Sequence, residues 1–162
     1  MAKLGFMGLG IMGYPMAGHL LAAGHEVALW TNNAAKAKEL AAKGKGTACA
    51  TPQEVAERSD IVFYCVGNGD MAKDVTLGPK GLIQGARKGT IIADCSTISP
   101  QTSREIGAAF AEKGVRFLDA PCTGSKPGAD KATLTFMIGG DKAAFEEAKP
   151  YFELMGKVFY HC

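Results

Sequence analysis

The sequence has 162 residues, of which 47% are hydrophobic and 21% are charged, and its formal net charge is +2. These are ordinary values for a globular protein, and the length fits one domain with a sizeable buried core. The balanced charge, without a dense basic run, argues against a nucleic-acid-binding protein. No apolar stretch reaches membrane-spanning length, and early glycines interrupt any signal-peptide pattern.

The cysteines indicate a cellular compartment. There are five of them, well separated and without a C-x-x-C pair. Cys65 and Cys95 lie in or beside apolar runs, which is typical of small buried side chains rather than of disulfides or metal ligands. We therefore predict a reducing, cytoplasmic setting and no metal site.

The first 24 residues carry the strongest motif. Leu4–Met7 is a short apolar run that is typical of a strand buried on both faces. It leads into Gly8, Gly10 and Gly13 in a G-x-G-x-x-G pattern, after which apolar residues recur at helical spacing until Gly24. In such a motif the glycines allow a tight turn, the approach of a pyrophosphate, and close packing of helix on strand. This context favours dinucleotide binding over a tight turn without a ligand.

Strand and helix patterns alternate along the rest of the chain. Strands are predicted at residues 26–30, 46–48, 60–66, 90–94, 115–118, 133–138 and 158–160. Helices are predicted at residues 34–43, 52–59, 70–77, 99–113 and from 141 onwards, where Pro150 would kink or split the last one. Residues 120–131 are rich in Gly, Pro, Ser and Thr, and we expect them to form a long functional loop.

This alternation predicts parallel βαβ units. We therefore expect an α/β fold with a doubly wound, mostly parallel sheet of the Rossmann type, as one NAD(P)-binding domain over residues 1–162. The ligand should lie across the carboxyl ends of the strands, at the switch point beside the first strand. The loops at residues 8–13, 31–33, 66–69 and 95–99 are predicted at that edge.

The residues after the second strand bear on the choice of cofactor. A site that prefers NAD places Asp or Glu about 20 residues after the glycines, where it bonds the ribose 2′-hydroxyl. Here the sequence reads Trp30, Thr31, Asn32, Asn33, with no acid to repel a 2′-phosphate and no arginine to bind it. Lys36 would supply a point charge, although a solvated helix lysine is an equally good interpretation. Charge alone slightly favours NADP over NAD.

Three stretches together suggest a family. They read GFMGLGIMG at residues 5–13, DCSTISP at residues 94–100 and FLDAPCTG at residues 117–124. With them the chain resembles the N-terminal domain of the β-hydroxyacid dehydrogenases. That family includes 3-hydroxyisobutyrate dehydrogenase, tartronate semialdehyde reductase and the glyoxylate/succinic semialdehyde reductases, with 6-phosphogluconate dehydrogenase as a more distant relative.

The resemblance implies a role for particular residues. It assigns the glycine loop, with Leu9, Ile11 and Met12, to the pyrophosphate. It assigns Thr31, Asn32 and Asn33 to the adenosine ribose and Val75 to the adenine. On the other half of the cofactor, Val66 and Gly67 would flank it and Thr97 would lie by the nicotinamide ribose. It assigns Thr123, Gly124 and Ser125 to the carboxylate of a small substrate. The family commonly has Ser-Gly-Gly at residues 123–125, so we expect the preferred acid to differ here. It commonly has Asn-Arg-Thr at residues 31–33, so the arginine that usually binds the 2′-phosphate of NADP is missing.

The resemblance also implies an activity. The parent enzyme would interconvert a small 3-hydroxy or 2-hydroxy acid and its semialdehyde or keto acid by hydride transfer to or from NAD(P). The family places its catalytic lysine on an all-helical second domain, just beyond the position of Tyr160, and builds its homo-oligomer through that domain. This sequence ends at Cys162. We therefore expect no catalytic residue within the chain, and no turnover by the chain alone.

Alternatives remain open. The chain would also fit a stand-alone nucleotide-binding module without catalysis, or the cofactor domain of an imine reductase. Within the chain, Lys126 and Lys131 are the lysines closest to the expected substrate segment, and solvated cations are the better interpretation of both. Cys122 beside that segment is interpreted as a packed thiol.

Overall fold

A single parallel sheet forms the centre of the computed structural model, which describes residues 2–162. Its strands are β1 (Leu4–Met7), β2 (Val27–Trp30), β3 (Gly46–Ala48), β4 (Ile61–Tyr64), β5 (Ile91–Asp94) and β6 (Arg116–Asp119). All neighbouring pairs are parallel, and the order across the sheet is β3-β2-β1-β4-β5-β6. The direction of winding therefore reverses between β1 and β4. The predicted doubly wound α/β fold is confirmed.

Seven helices connect the strands in the described part of the chain. They are α1 (Gly13–Ala22), α2 (Ala34–Ala41), α3 (Pro52–Glu57), α4 (Gly69–Leu77), α5 (Pro100–Glu112), α6 (Ser125–Lys131) and α7 (Lys142–Met155), with a short 3-10 turn at Leu82–Gln84. Thr51, Ser99 and Asp141 each accept the backbone N–H three residues further on, at 3.0–3.2 Å. These side chains satisfy N–H groups that a helix start leaves without partners, as the sequence signals predict.

Both faces of the main sheet are buried. On β1, Leu4 and Phe6 point to one face while Met7 points to the other, as strand geometry requires. Helices α1, α2 and α7 cover the first face, and α3, α4 and α5 cover the second. Phe152 of α7 packs edge-on against Phe63 of β4, with ring centroids 5.2 Å apart. The sheet edge that carries the candidate loops is thus held between two rigid layers.

A second, smaller sheet follows the main one and corrects the prediction of a loop at residues 120–131. It contains β7 (Cys122–Thr123), β8 (Leu134–Ile138) and β9 (Gly156–His161), with β7 antiparallel and β9 parallel to β8. Residues 120–131 fold into β7 and α6. The helix is stabilised by tertiary contacts, since Ala129 is buried and its carbonyl oxygen lies 2.8 Å from Nε2 of His19 in α1. Such packing overrides the poor helix propensity of its Pro and Gly residues.

Pro150 does not split the last helix. Helix α7 continues from Lys142 through Met155 and ends before Gly156. Proline removes one backbone donor from a helix interior. Ala148, Phe152 and Met155 are fully buried around it, and this apolar burial offsets the lost hydrogen bond.

Candidate functional site

A cavity of about 460 Å³ opens at the carboxyl ends of β1, β2 and β4, beside the point where the strand order reverses. Its lining residues come from the glycine loop, the turn after β2, the turn after β4 and helices α2 and α4: Gly8, Leu9, Gly10, Trp30, Thr31, Asn32, Asn33, Lys36, Cys65, Val66, Gly67, Met71, Asp74 and Val75. Most of the residues predicted to bind a cofactor are therefore brought together around one cavity. This is where a doubly wound sheet binds its ligand.

The three glycines of the glycine loop differ in the space around them. Gly8 has φ +84°, and a Cβ there would overlap the carbonyl oxygen of Cys65. A Cβ on Gly13 would overlap the carbonyl oxygen of Gly8, so helix and strand approach each other closely. At Gly10, in contrast, no atom lies within 4 Å of the Cβ position. The space that a side chain would fill is open to a ligand, in front of the N–H groups at the start of α1.

The turn after β2 has a structural role that the sequence analysis missed. Oδ1 of Asn33 accepts hydrogen bonds from the backbone N–H groups of Ala35 at 3.2 Å and Lys36 at 3.4 Å, and so caps α2. This leaves Thr31 and Asn32 as the residues of the turn whose side chains have no recorded partner in the part of the chain described. The available signal was an Asn directly before the first residue of a predicted helix.

Lys36 is positioned by an aromatic ring. Its Nζ lies 5.6 Å from the centroid of the Tyr14 ring, and Nζ of Lys43 lies 5.3 Å from the same centroid. The Tyr14 hydroxyl donates to Oε1 of Glu39 at 2.7 Å. Cation–π attraction thus holds the Lys36 ammonium group near the start of α1, at the rim of the cavity. The role of Lys36 as a phosphate partner stays a prediction.

Four lining residues were missed by the sequence analysis: Trp30, Cys65, Met71 and Asp74. Met71 lies four residues before Val75 on α4, and Asp74 lies three residues after Met71, so each of the two is at helical spacing from a neighbour on the cavity side. That spacing was the signal that would have found them. Burial raises the pKa of the Cys65 thiol to about 12, so this cysteine stays protonated at neutral pH and is a wall residue rather than a nucleophile.

A buried hydrogen-bond network joins the turns after β4 and β5. The Tyr64 hydroxyl donates to Oδ2 of Asp94 at 2.9 Å, and the backbone N–H of Ser96 donates to Oδ1 at 2.7 Å. The Ser96 hydroxyl in turn accepts the backbone N–H of Val66 at 2.8 Å. Asp94 is fully buried, and this burial raises its pKa to about 6, although the hydrogen bonds act in the opposite direction. The network fixes the backbone at Val66, which lines the cavity.

Several predicted residues lie outside the main cavity. Met12, Gly13 and Thr97 are not among its lining residues, and Thr97 is exposed in the turn after β5. Ile11 lines an adjoining cavity of about 280 Å³ that shares Gly10 and Lys36 with the main one. The glycine loop therefore borders two neighbouring spaces.

The expected substrate segment is exposed and separate from the main cavity. Thr123 is the last residue of β7, Gly124 (φ +131°) caps α6, and Ser125 (φ +53°) is the first residue of that helix. Lys126 lines the adjoining cavity and forms an ion pair with Asp130 at 2.6 Å. An exposed pair of this kind contributes little to stability. The interpretation of Lys126 as a solvated cation stays a prediction. The role of residues 123–125 in substrate binding stays a prediction.

None of the helices within residues 2–162 is long and apolar enough to cross a membrane.

Comparison with known proteins shows the family. The model of the NAD binding domain of 6-phosphogluconate dehydrogenase matches residues 3–162. The chain belongs to this family. The predicted resemblance to the cofactor domain of the hydroxyacid dehydrogenases is confirmed.

Curated relatives carry the names of such enzymes. The 2-hydroxy-3-oxopropionate reductase of Escherichia coli (strain K12) is 43% identical over 155 residues, which are 96% of this chain and 52% of that protein. The 2-(hydroxymethyl)glutarate dehydrogenase of Eubacterium barkeri is 39% identical over 159 residues, which are 98% of this chain and 52% of that protein. The chain thus spans about half the length of the curated relatives it matches.

Solved structures agree with this assignment. A structure of Mycobacterium tuberculosis 3-hydroxyisobutyrate dehydrogenase with L-serine is 34% identical, with a TM-score of 0.89, over 100% of this chain and 54% of that one. The imine reductase from Myxococcus stipitatus is 22% identical, with a TM-score of 0.88, over 99% of this chain and 54% of that one. It was solved in complex with NADP+, and a variant of it was solved with NAD+. At that identity the imine reductases show the fold alone, so the hydroxyacid dehydrogenases are the better supported relatives.

Proposed function

We propose that this chain holds the dinucleotide in an NAD(P)-dependent enzyme that interconverts a small 3-hydroxy or 2-hydroxy acid and its semialdehyde or keto acid by hydride transfer. One observation carries the proposal. The glycine loop leaves open space at Gly10, beside a cavity of about 460 Å³ at the switch point of the sheet. The names of the relatives that are 39% and 43% identical supply the reaction class.

The lining residues fit a dinucleotide. The loop at Gly10 and the start of α1 would hold the pyrophosphate through backbone N–H groups. Thr31 and Asn32 offer polar side chains to the adenosine ribose, while Trp30 and Val75 offer apolar surface to the adenine. The turn at residues 66–67 would flank the nicotinamide half. The bound nicotinamide supplies the hydride, and this chain supplies its position.

The substrate would be a small carboxylic acid. The hydroxyl group of Thr123 and the backbone at Gly124 and Ser125 are exposed at one edge of the second sheet. Hydroxyl and backbone N–H groups suit a carboxylate ligand. We propose that they orient the substrate carboxylate, with the carbonyl group directed towards the nicotinamide.

We propose further that the chain prefers NADP(H) slightly over NAD(H). The turn after β2 has no acidic residue, and Lys36 is held at the rim of the same cavity by Tyr14. A point charge of this kind favours a 2′-phosphate without the bidentate contact that arginine would make.

Proton transfer to or from the substrate is proposed to require a residue outside this chain. The relatives are about twice as long as the matched stretch. We therefore expect the chain alone to bind a dinucleotide without reducing a semialdehyde such as glyoxylate, and the parent enzyme to be a homo-oligomer.

A cytoplasmic location is proposed as well, since all five cysteines are free thiols.

The proposal is tested by titrating the chain with NADP+ and NAD+. Trp30 is the one tryptophan of the sequence and lines the cavity, so its fluorescence reports on occupancy, with calorimetry as a second measurement. Binding of either dinucleotide at submillimolar to millimolar concentration is expected. The absence of binding of both at millimolar concentration would contradict the proposal.

Two glycine variants locate the site. Gly10→Val should abolish binding because the new side chain fills the space proposed for the pyrophosphate. Gly18→Val is the matched control, since Gly18 also has no atom within 4 Å of its Cβ position but lies further along α1. Equal affinity of both variants would reject the assigned phosphate loop.

A further inference from the structure

Asp74 brings a carboxylate to the cavity from α4, which lies far in sequence from the turn after β2. It lies on α4 and lines the main cavity together with Asn32 and Lys36. Among the residues that line this cavity, Asp74 is the one acid and Lys36 is the one base. The acid that is absent after β2 thus has a counterpart on another wall.

The two charges approach the cavity from opposite sides of the sheet. Helix α2, which carries Lys36, packs on the same face as α1, whereas α4, which carries Asp74, packs on the other face. Lys36 is held near the start of α1 by the Tyr14 ring. The base and the acid therefore border the same cavity from two different walls.

Asp74 stands between two spaces at the adenosine end. A neighbouring cavity of about 410 Å³ shares Trp30, Asp74 and Val75 with the main cavity. Asp74 is exposed and takes part in none of the ion pairs found within residues 2–162. Its negative charge therefore lies at the border of both spaces, and Lys80 is the one basic residue that lines the smaller of them.

NADP differs from NAD only in the phosphate on the 2′-oxygen of the adenosine ribose, which carries a charge close to −2. We propose that Asp74 is a specificity-determining residue, whose carboxylate disfavours this 2′-phosphate and so keeps the preference for NADP(H) small. The inference rests on the proposed function, because it assumes that the dinucleotide lies in this cavity with its adenosine half towards Val75.

The experiment compares the ratio of the two dissociation constants in three forms of the chain. Wild type, Asp74→Asn and Asp70→Asn are each titrated with NADP+ and with NAD+, with Trp30 fluorescence as the readout. Asp70 is the matched control because it is an exposed aspartate on α4 that lies outside both cavities. The ratio cancels any change in fold or in pyrophosphate affinity, since the two ligands share everything but the 2′-phosphate.

The expected result is a relative gain in NADP+ affinity of about three- to tenfold in Asp74→Asn, as for a charge pair a few ångströms apart near water. Asp70→Asn should leave the ratio unchanged. The gain should shrink at high ionic strength, because salt screens exposed charges.

Two outcomes would overturn the inference, and they are distinguishable. If both dinucleotides bind and their ratio is the same in Asp74→Asn as in wild type, Asp74 does not select the cofactor, while the proposed function stands. If neither dinucleotide binds the wild-type chain, the proposed function fails and the inference fails with it.

Discussion

Asp94→Asn tests the energetic cost of a buried charge at the end of β5. The Asp94 carboxyl group is fully buried, and its pKa is raised from 3.8 to about 6. The folded state therefore binds this proton more tightly than the unfolded state does. Stability from this group is complete below pH 3.8 and is lost as the pH rises through 6. The two values differ by about 2 units, which corresponds to about 3 kcal/mol of unfolding free energy at neutral pH.

Asparagine has nearly the same shape but does not ionise. Its amide oxygen accepts the Ser96 N–H, and its NH₂ group donates to the Tyr64 hydroxyl oxygen, so the network is kept. The unfolding free energy of wild type should fall relative to that of the variant as the pH rises, by about 2 kcal/mol between pH 4 and pH 7. Contributions of the exposed carboxylates are common to both proteins and cancel in this difference.

The assay is urea unfolding of both proteins at several pH values, followed by circular dichroism. Tyr64→Phe provides a second variant, since it removes a hydrogen bond that lowers the pKa of Asp94. Its stability should therefore fall more steeply than that of wild type as the pH rises. A difference between Asp94→Asn and wild type that stays constant from pH 4 to pH 7 would refute the reasoning.

Two further predictions concern the cavity and the core. Lys36→Gln should weaken NADP+ binding more than NAD+ binding because it removes the base at the rim of the cavity. Lys38→Gln is the control, since Lys38 is exposed on the same helix, and it should change the affinity for neither ligand. Equal losses of affinity for both ligands in Lys36→Gln would exclude Lys36 as a phosphate partner. Phe152→Ala should lower the unfolding free energy by about 3–5 kcal/mol because a fully buried ring is removed. Leu154→Ala, at a half-buried position of the same helix, should cost clearly less in the same urea titration, and similar losses would contradict the assignment of Phe152 to the core.

Local patterns were sufficient to predict much of the fold. The buried strands at β1, β4 and β5 are short apolar runs, and helix starts such as Thr51 and Ser99 carry cap signals that act within one turn. The glycine loop was predictable for the same reason, because each glycine answers a steric need that arises within a few residues.

Features that depend on distant contacts were not predictable. Helix α6 forms because Ala129 packs on α1, and nothing in its own composition indicates this. The second sheet requires β7 and β9 to meet β8 from different parts of the chain. In the site, Cys65 lines the cavity through the pairing of β4 with its neighbouring strands, whereas the Asn33 cap and the spacing of Met71 and Asp74 on α4 were local signals that the sequence analysis did not use.

Helix α1 links two parts of the site that would otherwise be independent. Its first residues follow the phosphate loop, and its His19 contacts the carbonyl oxygen of Ala129 in α6 at 2.8 Å, just behind residues 123–125. Both ligands of the proposed reaction would therefore be positioned from the same rigid body. The distance between the nicotinamide and the substrate would then depend on how α1 packs. A substitution on the buried side of α1 would misalign the cofactor and the substrate without contacting either of them.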